Sequence, residues 1–237
     1  MKILAIGDTA DNSISLKKFI KNSQIHLITF PRKQAELFTL SEGVERFDSL
    51  LISKQVKKIN LLNQLPFDNN SFDVVYHSQF IEHLTPNVGL KFLHECYRIL
   101  KPGGHYIIQD VNLSYMFQLI ILLMKIEGYD KTIDILNEEV PCNDINDPWS
   151  GNNAIPNLIF DNFANFNSKL GNKFELIHSK KSEFLVFLNS GGVIAKTFYI
   201  PLNDLFNKLV IKFDNQLTRF HKIFALQQSV VLKKIKN

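Results

Sequence analysis

The stretch FDNNSFDVVYHSQFIEHLTPNVGLKFLHECYRILKPGGHYIIQDV, residues 67–111, decides the fold. It opens on turn-forming residues and continues with the apolar run 72–78, which is typical of a buried strand. Leu93, Cys96 and Leu100 recur at helical spacing, and the glycines of KPGG (101–104) suit a helix end. A second apolar run, 105–111, follows. This order of strand, helix and strand predicts two parallel neighbours joined by a crossover.

The same alternation extends in both directions along the chain. Further strands are predicted at 2–6, 25–30, 57–62, 173–179 and 227–235. Further helices are predicted at 14–22, 32–40, 113–126 and 202–220. The sequence therefore predicts an α/β fold, a parallel sheet with helices on both faces. We expect one domain over 1–237, in which 113–172 is a helical insertion before the last strands.

Composition excludes several classes of protein. The chain has 237 residues, 45% of them hydrophobic and 21% charged, which is typical of a folded globular protein. Two cysteines cannot build a disulfide framework, and no histidine stands at metal-ligand spacing, so we expect no metal. The longest apolar run, 113–124, is too short to span a membrane, so no transmembrane segment and a cytoplasmic location are predicted.

The charge of the chain restricts its possible partners less than the composition does. The formal net charge is +4, and the last sixty or so residues are rich in lysine. This pattern suits a solvated face, and also a basic edge that meets an anionic substrate or membrane surface. The phenylalanines lie mostly inside apolar runs and no RNA-binding motif is present, so we predict no nucleic-acid partner. The sequence leaves the oligomeric state open.

Four short motifs in 65–104 carry a family resemblance. They are LPF (65–67), SFD (71–73), EHL (82–84) and LKPGG (100–104), in this order and spacing. The stretch resembles the class I S-adenosylmethionine-dependent methyltransferases, in their small-molecule, type 11-like branch. The resemblance implies a Rossmann-like seven-stranded sheet whose last strand is antiparallel and lies near one edge. It also implies S-adenosylmethionine as cofactor and 113–172 as a lid over the substrate.

In open parallel sheets, ligands bind outside the carboxyl ends of the strands. The residues at or just after those ends are therefore the candidate cofactor contacts. They are Gly7, Asp8, Thr9, Phe30, Asn60, Leu61, His77 and Ser78.

The chain departs from the family pattern at three of these ends. Gly7 fits the first glycine of the family's glycine-rich turn, but Thr9 and Asp11 stand where further glycines are expected. The second strand ends in ITFPR (28–32), without the acid that usually holds the ribose. Asn60 stands where an Asp often meets the adenine amine. An amide still donates and accepts hydrogen bonds, so this change is mild.

Single polar residues give the candidate chemistry. The resemblance places His83 near the methyl-transfer site, where an imidazole can act as a general base, although it can equally orient the loop. We expect Glu82 to be structural. Asp110 can bind substrate or cap the following helix, and we expect the cap. Trp149 either packs in its polar loop or closes over a substrate.

The predicted function is methyl transfer from S-adenosylmethionine to an oxygen, nitrogen or carbon atom of a small-molecule acceptor. Two alternatives remain open. A relative without catalysis would keep the fold for binding after losing the glycine turn. The opening strand, Gly7 and helix are also similar to the start of nucleotide-sugar glycosyltransferases, although a single such unit is weak support.

Overall fold

The fold is taken from a computed structural model of the chain. It describes residues 1–7, 24–29, 37–42, 45–47, 50–52, 55–60, 64–84, 86–125, 128–136, 151–189 and 200–235. The predicted helix 14–22 and the loop residue Trp149 lie outside these ranges, as do Asp8, Thr9, Phe30 and Leu61 among the candidate contacts.

One sheet of eight strands organises the described chain, in the order β6-β3-β2-β1-β7-β8-β10-β9. A separate pair, β4 and β5, forms a short antiparallel ladder. The bounds are β1 Lys2–Gly7, β2 Gln24–Thr29, β3 Leu37–Glu42, β4 Glu45–Phe47, β5 Leu50–Ile52, β6 Gln55–Asn60, β7 Phe72–Ser78, β8 Leu100–Val111, β9 Phe174–Ser182 and β10 Gln227–Lys234.

The directions of the strands determine which edge of the sheet carries their carboxyl ends. β2, β1, β7 and β8 are mutually parallel, and only β3 and β10 run against them. β10 lies between β8 and the edge strand β9, so the antiparallel last strand near one edge is confirmed. The carboxyl ends of the parallel strands share one edge of the sheet, as the sequence predicted.

The sheet has eight strands rather than the predicted seven. The extra strand is β3, Leu37–Glu42, where a helix over 32–40 was predicted. That helix prediction is wrong at 37–40. Phe38 and Leu40 alternate with Thr39 and Ser41, a period of two that suits a strand and is supported by pairing with β2 and β6.

Six α-helices are described. Their bounds are α1 Pro86–Ile99, α2 Tyr115–Met124, α3 Ile155–Phe160, α4 Phe163–Lys169, α5 Leu185–Leu188 and α6 Asp204–Leu217. Two short 3-10 helices, Ile81–His83 and Thr218–Phe220, extend the turn after β7 and the end of α6. The helices predicted around Leu93 and Cys96, over 113–126 and over 202–220 are confirmed in their central parts, which are Pro86–Ile99, Tyr115–Met124 and Asp204–Leu217. Leu100 begins β8 instead, and residues 218–220 form a 3-10 helix.

The main core lies between one face of the sheet and the helices α1, α3 and α4. Strand residues such as Val75, Tyr106 and Ile108 pack there against Phe92 and Ile159, all nearly inaccessible to solvent. Burying each large apolar side chain stabilises the folded state by about 1.5–3 kcal/mol. This layer is therefore the main stabilising contact of the described fold.

The insertion 113–172 contributes to two cores. α3 and α4 complete the main core, while α2 packs with Val111, Leu226 and Phe184 in a second, smaller cluster. A lid over the substrate therefore remains a prediction for this insertion, whose residues 137–150 lie outside the described ranges. Among the described residues, no helix is long and apolar enough to cross a bilayer.

Candidate active site

The candidate site lies where the carboxyl ends of β1, β7 and β8 meet. Gly7, the last residue of β1, pairs with Ser78, the last residue of β7, and Ser78 pairs with Gln109 of β8. Gly7 therefore leaves a position without a side chain directly beside the buried Ser78. Asn60 ends β6 at the same edge, but β3 and β2 separate it from β1, about 14 Å at the usual strand spacing.

A fully buried hydrogen-bonded chain lies just behind this edge. His77 Nε2 lies 2.7 Å from Asp110 Oδ2, and His77 Nδ1 lies 2.5 Å from the Tyr106 hydroxyl. None of the three side chains is exposed to solvent. Because a carboxylate only accepts, Nε2 carries a proton and donates it to Asp110. In the neutral ring, Nδ1 then accepts from Tyr106.

This network fixes the turn that leads into the site. Asp110 Oδ1 accepts from the backbone N–H of Phe80 at 3.1 Å, so one carboxylate links the end of β8 to the turn after β7. Gln79, which lies between Ser78 and Phe80 in this turn, has a φ of 48°. Residues other than glycine rarely adopt this backbone conformation. The prediction that Asp110 caps α2 is wrong, because Ser114 Oγ accepts from Phe117 N there.

Both ring nitrogens of His77 are thus used inside the protein. A residue at a strand end can contact a cofactor through its side chain or through its backbone. For His77 only the backbone is left for such a contact. Burial raises the pKa of the Tyr106 hydroxyl well above its ordinary value, and the nearby Cys96 and Asp110 raise it further. The hydroxyl therefore stays protonated and available to the network.

His83 lies in the 3-10 helix that follows this turn. Its side chain is 17% exposed, and its Nε2 lies 4.0 Å from Glu82 Oε1. The backbone carbonyl of Glu82 accepts from Asn152 N at 2.9 Å, which ties the turn to the segment before α3. An imidazole that is partly open to solvent beside a buried carboxylate is suited to moving a proton.

A second polar cluster occupies the opposite face of the same strand ends, and sequence reasoning missed it. Tyr76 OH donates to Gln109 Oε1 at 3.2 Å, and Gln79 Nε2 donates to Gln227 Oε1 at 2.8 Å. Gln227 is 1% exposed, and its Nε2 has no hydrogen-bond partner among the described residues. The two glutamines that open the predicted strand 227–235 were the available signal.

Burial and charge shift two acids in and near this cluster. Burial raises the pKa of the Tyr76 hydroxyl, against a lowering hydrogen bond from Ser78. Burial also raises the pKa of Glu183, and the neighbouring Asp214 carboxylate adds to the effect. Among the described residues, no group of three or more His, Cys, Asp or Glu side chains is arranged to hold a metal ion.

The comparison with protein families bears directly on residues 18–108. They match the model of a methyltransferase domain, which spans β2 to β8 and includes the Ser78 strand end. Over these residues, less than half of the chain, the protein is therefore similar to a methyltransferase domain. The resemblance drawn from 65–104 is therefore confirmed, and with it S-adenosylmethionine as the family's methyl donor. The match begins after Gly7, so the altered glycine turn lies outside it.

Similar proteins point the same way over short stretches. The chain is 30% identical over 105 residues to a sterol 4-C-methyltransferase of Caenorhabditis elegans, covering 44% of this chain and 26% of that one. It is 41% identical over 51 residues to a probable S-adenosylmethionine-dependent methyltransferase of Mycolicibacterium smegmatis, covering 22% of this chain and 19% of that one. The chain thus spans only 26% and 19% of the length of these relatives.

Among solved structures, a SAM-dependent methyltransferase from Archaeoglobus fulgidus is 14% identical, with a TM-score of 0.47. That alignment covers 98% of this chain and 86% of the other.

Proposed function

We propose that this chain transfers the methyl group of S-adenosylmethionine to a small-molecule acceptor at the carboxyl edge of β1, β7 and β8. The observation that carries the proposal is the pairing of Gly7 with Ser78 at adjacent parallel strand ends of a chain that is similar to a methyltransferase domain over residues 18–108. Backbone without a Cβ leaves room for a ligand to approach the strand end closely. Ligands of open parallel sheets bind at this edge.

The residues present there suit the cofactor's amino-acid end. The buried amide N–H of Gln227 needs an acceptor, which a carboxylate supplies. Ser78 and the turn at Gln79 add polar groups beside Gly7. We propose as cofactor contacts the residues Gly7, Asp8, Thr9, Phe30, Asn60, Leu61, His77 (through its backbone) and Ser78.

Methyl transfer needs alignment of the acceptor with the methyl group in a site that excludes water. When bound, S-adenosylmethionine supplies an electrophilic methyl group. In our proposal His83 removes a proton from an oxygen or nitrogen acceptor, and the insertion 113–172 shapes the acceptor pocket. A small, largely apolar acceptor is supported by the sterol methyltransferase among the similar proteins. A cytoplasmic location remains a prediction.

Calorimetric titration with S-adenosylmethionine and S-adenosylhomocysteine tests the proposal. We expect one site of micromolar affinity in the wild-type protein. Ser78→Val places an apolar branched side chain beside Gly7 and is expected to weaken binding at least tenfold. Ser179→Val, on the exposed middle of β9, is the matched control and should bind as the wild type does.

Absence of binding up to millimolar cofactor, in protein with a native melting transition, would leave the non-catalytic alternative. Binding of a nucleotide-sugar instead would favour the glycosyltransferase alternative. If the cofactor binds, the next experiment measures transfer of an isotopically labelled methyl group from S-adenosylmethionine into pools of candidate acceptors. His83→Ala should then lower kcat while leaving the Kd of the cofactor unchanged.

A further inference from the structure

Helix α2 exposes an apolar face to solvent. Its exposed apolar residues are Tyr115, Leu119, Leu122 and Leu123, each between 42% and 73% accessible. Their spacing of i, i+4, i+7 and i+8 places them on one side of the helix. The opposite side, with Phe117 and Ile121, is buried in the second core cluster. α2 therefore carries apolar residues on both sides, but the described chain buries only one of them.

Helix α6 also exposes an apolar face to solvent. Leu205, Phe206, Leu209 and Phe213 lie on one side of this helix and are each more than half exposed. On the other side, the buried Asp214 accepts hydrogen bonds from the backbone N–H groups of Phe184 and Leu185. Asp214 thus fixes α6 to the protein body with its apolar side turned outward.

Backbone hydrogen bonds hold the start of α2 beside the segment that follows α6. The backbone N–H groups of Tyr115 and Met116, at the start of α2, donate to the carbonyls of Lys222 and Ile223 at 3.0 and 2.9 Å. Phe220 and Ile223, which follow α6 and lie in or next to this contact with α2, are also exposed. We call the exposed apolar surface made by Tyr115, Leu119, Leu122, Leu123, Leu205, Phe206, Leu209, Phe213, Phe220 and Ile223 the apolar ridge.

A basic stripe runs along one flank of the ridge. Lys208, Lys212 and Arg219 line one shallow groove on α6 and its 3-10 extension. Of the two acids on α6, Asp214 is buried and Asp204 lies in the first turn, where the helix dipole favours a carboxylate. The exposed flank is therefore positively charged along its length.

The observations together fix the occupant. Exposed apolar patches of this extent on a soluble domain mark an interaction site. A helix with Leu and Phe on one side and Lys and Arg beside them is suited to the interface of an anionic bilayer. α6 has 14 residues, about 21 Å at 1.5 Å per residue, which lies along a surface but does not cross it. We propose that the apolar ridge and its basic stripe dock this protein onto the surface of an anionic lipid bilayer.

This proposal does not rest on methyl transfer. The ridge does adjoin the candidate site, because Ser114, the cap of α2, follows the end of β8 by three residues. Docking is nevertheless tested without cofactor or acceptor, so its failure and a failure of the proposed function are separate results.

Vesicle flotation tests the docking. With the full chain at 100 mM salt, we expect binding to vesicles of 70% phosphatidylcholine and 30% phosphatidylglycerol. Binding to pure phosphatidylcholine should be at least tenfold weaker, and 500 mM salt should remove most of the anionic preference because it screens the charges. Lys208→Ser/Lys212→Ser should bind anionic vesicles about 30-fold more weakly, since each cation near the surface contributes about 1 kcal/mol.

The matched control removes the same charge elsewhere. Lys91→Ser/Lys169→Ser changes two exposed lysines on α1 and α4, outside the ridge, and should float as the wild type does. Equal losses in both double variants would overturn the proposal, because net charge alone would then explain binding. A wild-type protein that does not float, whether monomer or dimer by sedimentation velocity, would also overturn it. The ridge would then be covered by this chain or by a second copy.

A spectroscopic readout does not depend on the charge variants. Phe206→Trp in a Trp149→Phe background places the only tryptophan on the ridge. Its emission should shift to the blue on anionic vesicles, because the indole enters an apolar environment. Unchanged emission at a vesicle concentration that floats the protein would overturn docking through this surface.

Discussion

At the residue scale, the buried Asp110–His77–Tyr106 chain is the most informative feature of the described site. The three side chains come from neighbouring strands and are closed to solvent, so each polar group needs its protein partner. A substitution of Asp110 tests how much this network contributes to the stability of the fold. The carboxylate accepts from both His77 and Phe80 N, and an amide accepts at only one of its two atoms.

We expect Asp110→Asn to lower the free energy of unfolding by about 1–3 kcal/mol, the cost of an unsatisfied buried group. Urea denaturation measures it. Asp161→Asn is the control, because this carboxylate is half exposed and its pair with Lys181 lies at the surface. That control should lose less than about 1 kcal/mol. Equal effects would mean that the buried network adds no stability beyond a surface ion pair.

Glu183 gives a pH dependence whose sign is fixed. Burial and the Asp214 charge raise its pKa in the folded protein. The folded state therefore favours the protonated acid, a contribution present in acid and lost as the pH rises through the raised pKa. Glu183→Gln keeps the neutral form at every pH, so it should raise the melting temperature at pH 7 and change it little at pH 4. A gain of equal size at both values would contradict this origin.

At the element scale, the crossover from α1 into β8 depends on close backbone contact. A Cβ added at Gly104 would lie 2.9 Å from the carbonyl oxygen of Lys101 and 3.0 Å from that of Asp73. Neither backbone atom can move without disturbing the strand pair β7–β8. Gly104, the second glycine of the KPGG that the sequence assigned to the end of a helix, therefore also lets two strands approach each other closely.

Gly104→Ala is expected to destabilise the fold by about 1–3 kcal/mol, as overpacking typically does. Thermal unfolding followed by circular dichroism measures the change. At Gly128 the added Cβ would meet nothing within 4 Å, so Gly128→Ala should change the free energy of unfolding by less than about 0.5 kcal/mol. A Gly104→Ala protein as stable as that control would show that the backbone relaxes at no cost.

At the scale of the whole molecule, β10 links the edge strand β9 to β8 and so to the rest of the sheet. It pairs with β8 on one side and with β9 on the other, and in the described sheet β9 pairs only with β10. Lys234, in the same strand, donates from its buried ammonium group to the carbonyls of Tyr97 and Leu100 at 2.7 Å. The last strand is thus tied to α1 as well.

A chain that ends after residue 224 is expected not to fold, because β8 gains an unpaired edge and β9 loses its partner. Near-ultraviolet circular dichroism and proton NMR dispersion measure this. A chain that ends after residue 235 is the control and should keep the native spectra. Native dispersion in the shorter chain would show that the remaining strands suffice.

The sequence by itself determined the class of fold, the resemblance of residues 65–104 to S-adenosylmethionine-dependent methyltransferases, and the edge of the sheet at which we propose the site. These follow from local signals: apolar periods of two and 3.6 residues, and the motifs at 65–67, 71–73, 82–84 and 100–104. The strand ends at Gly7 and Ser78 were readable because an apolar run stops there. β3 was missed because residues 37–40 fit a short helix or a strand until pairing with β2 and β6 decides.

Only the tertiary structure decided what surrounds each polar group. Asp110 looked like a helix cap in the sequence, but its partners His77 and Phe80 lie about thirty residues away. Gln227 hydrogen-bonds to Gln79 across 148 residues, and the start of α2 hydrogen-bonds to the backbone of Lys222 and Ile223, which follow α6. Such contacts join distant parts of the chain, and no local period encodes them. Burial and hydrogen-bond partners are therefore properties of the packed molecule.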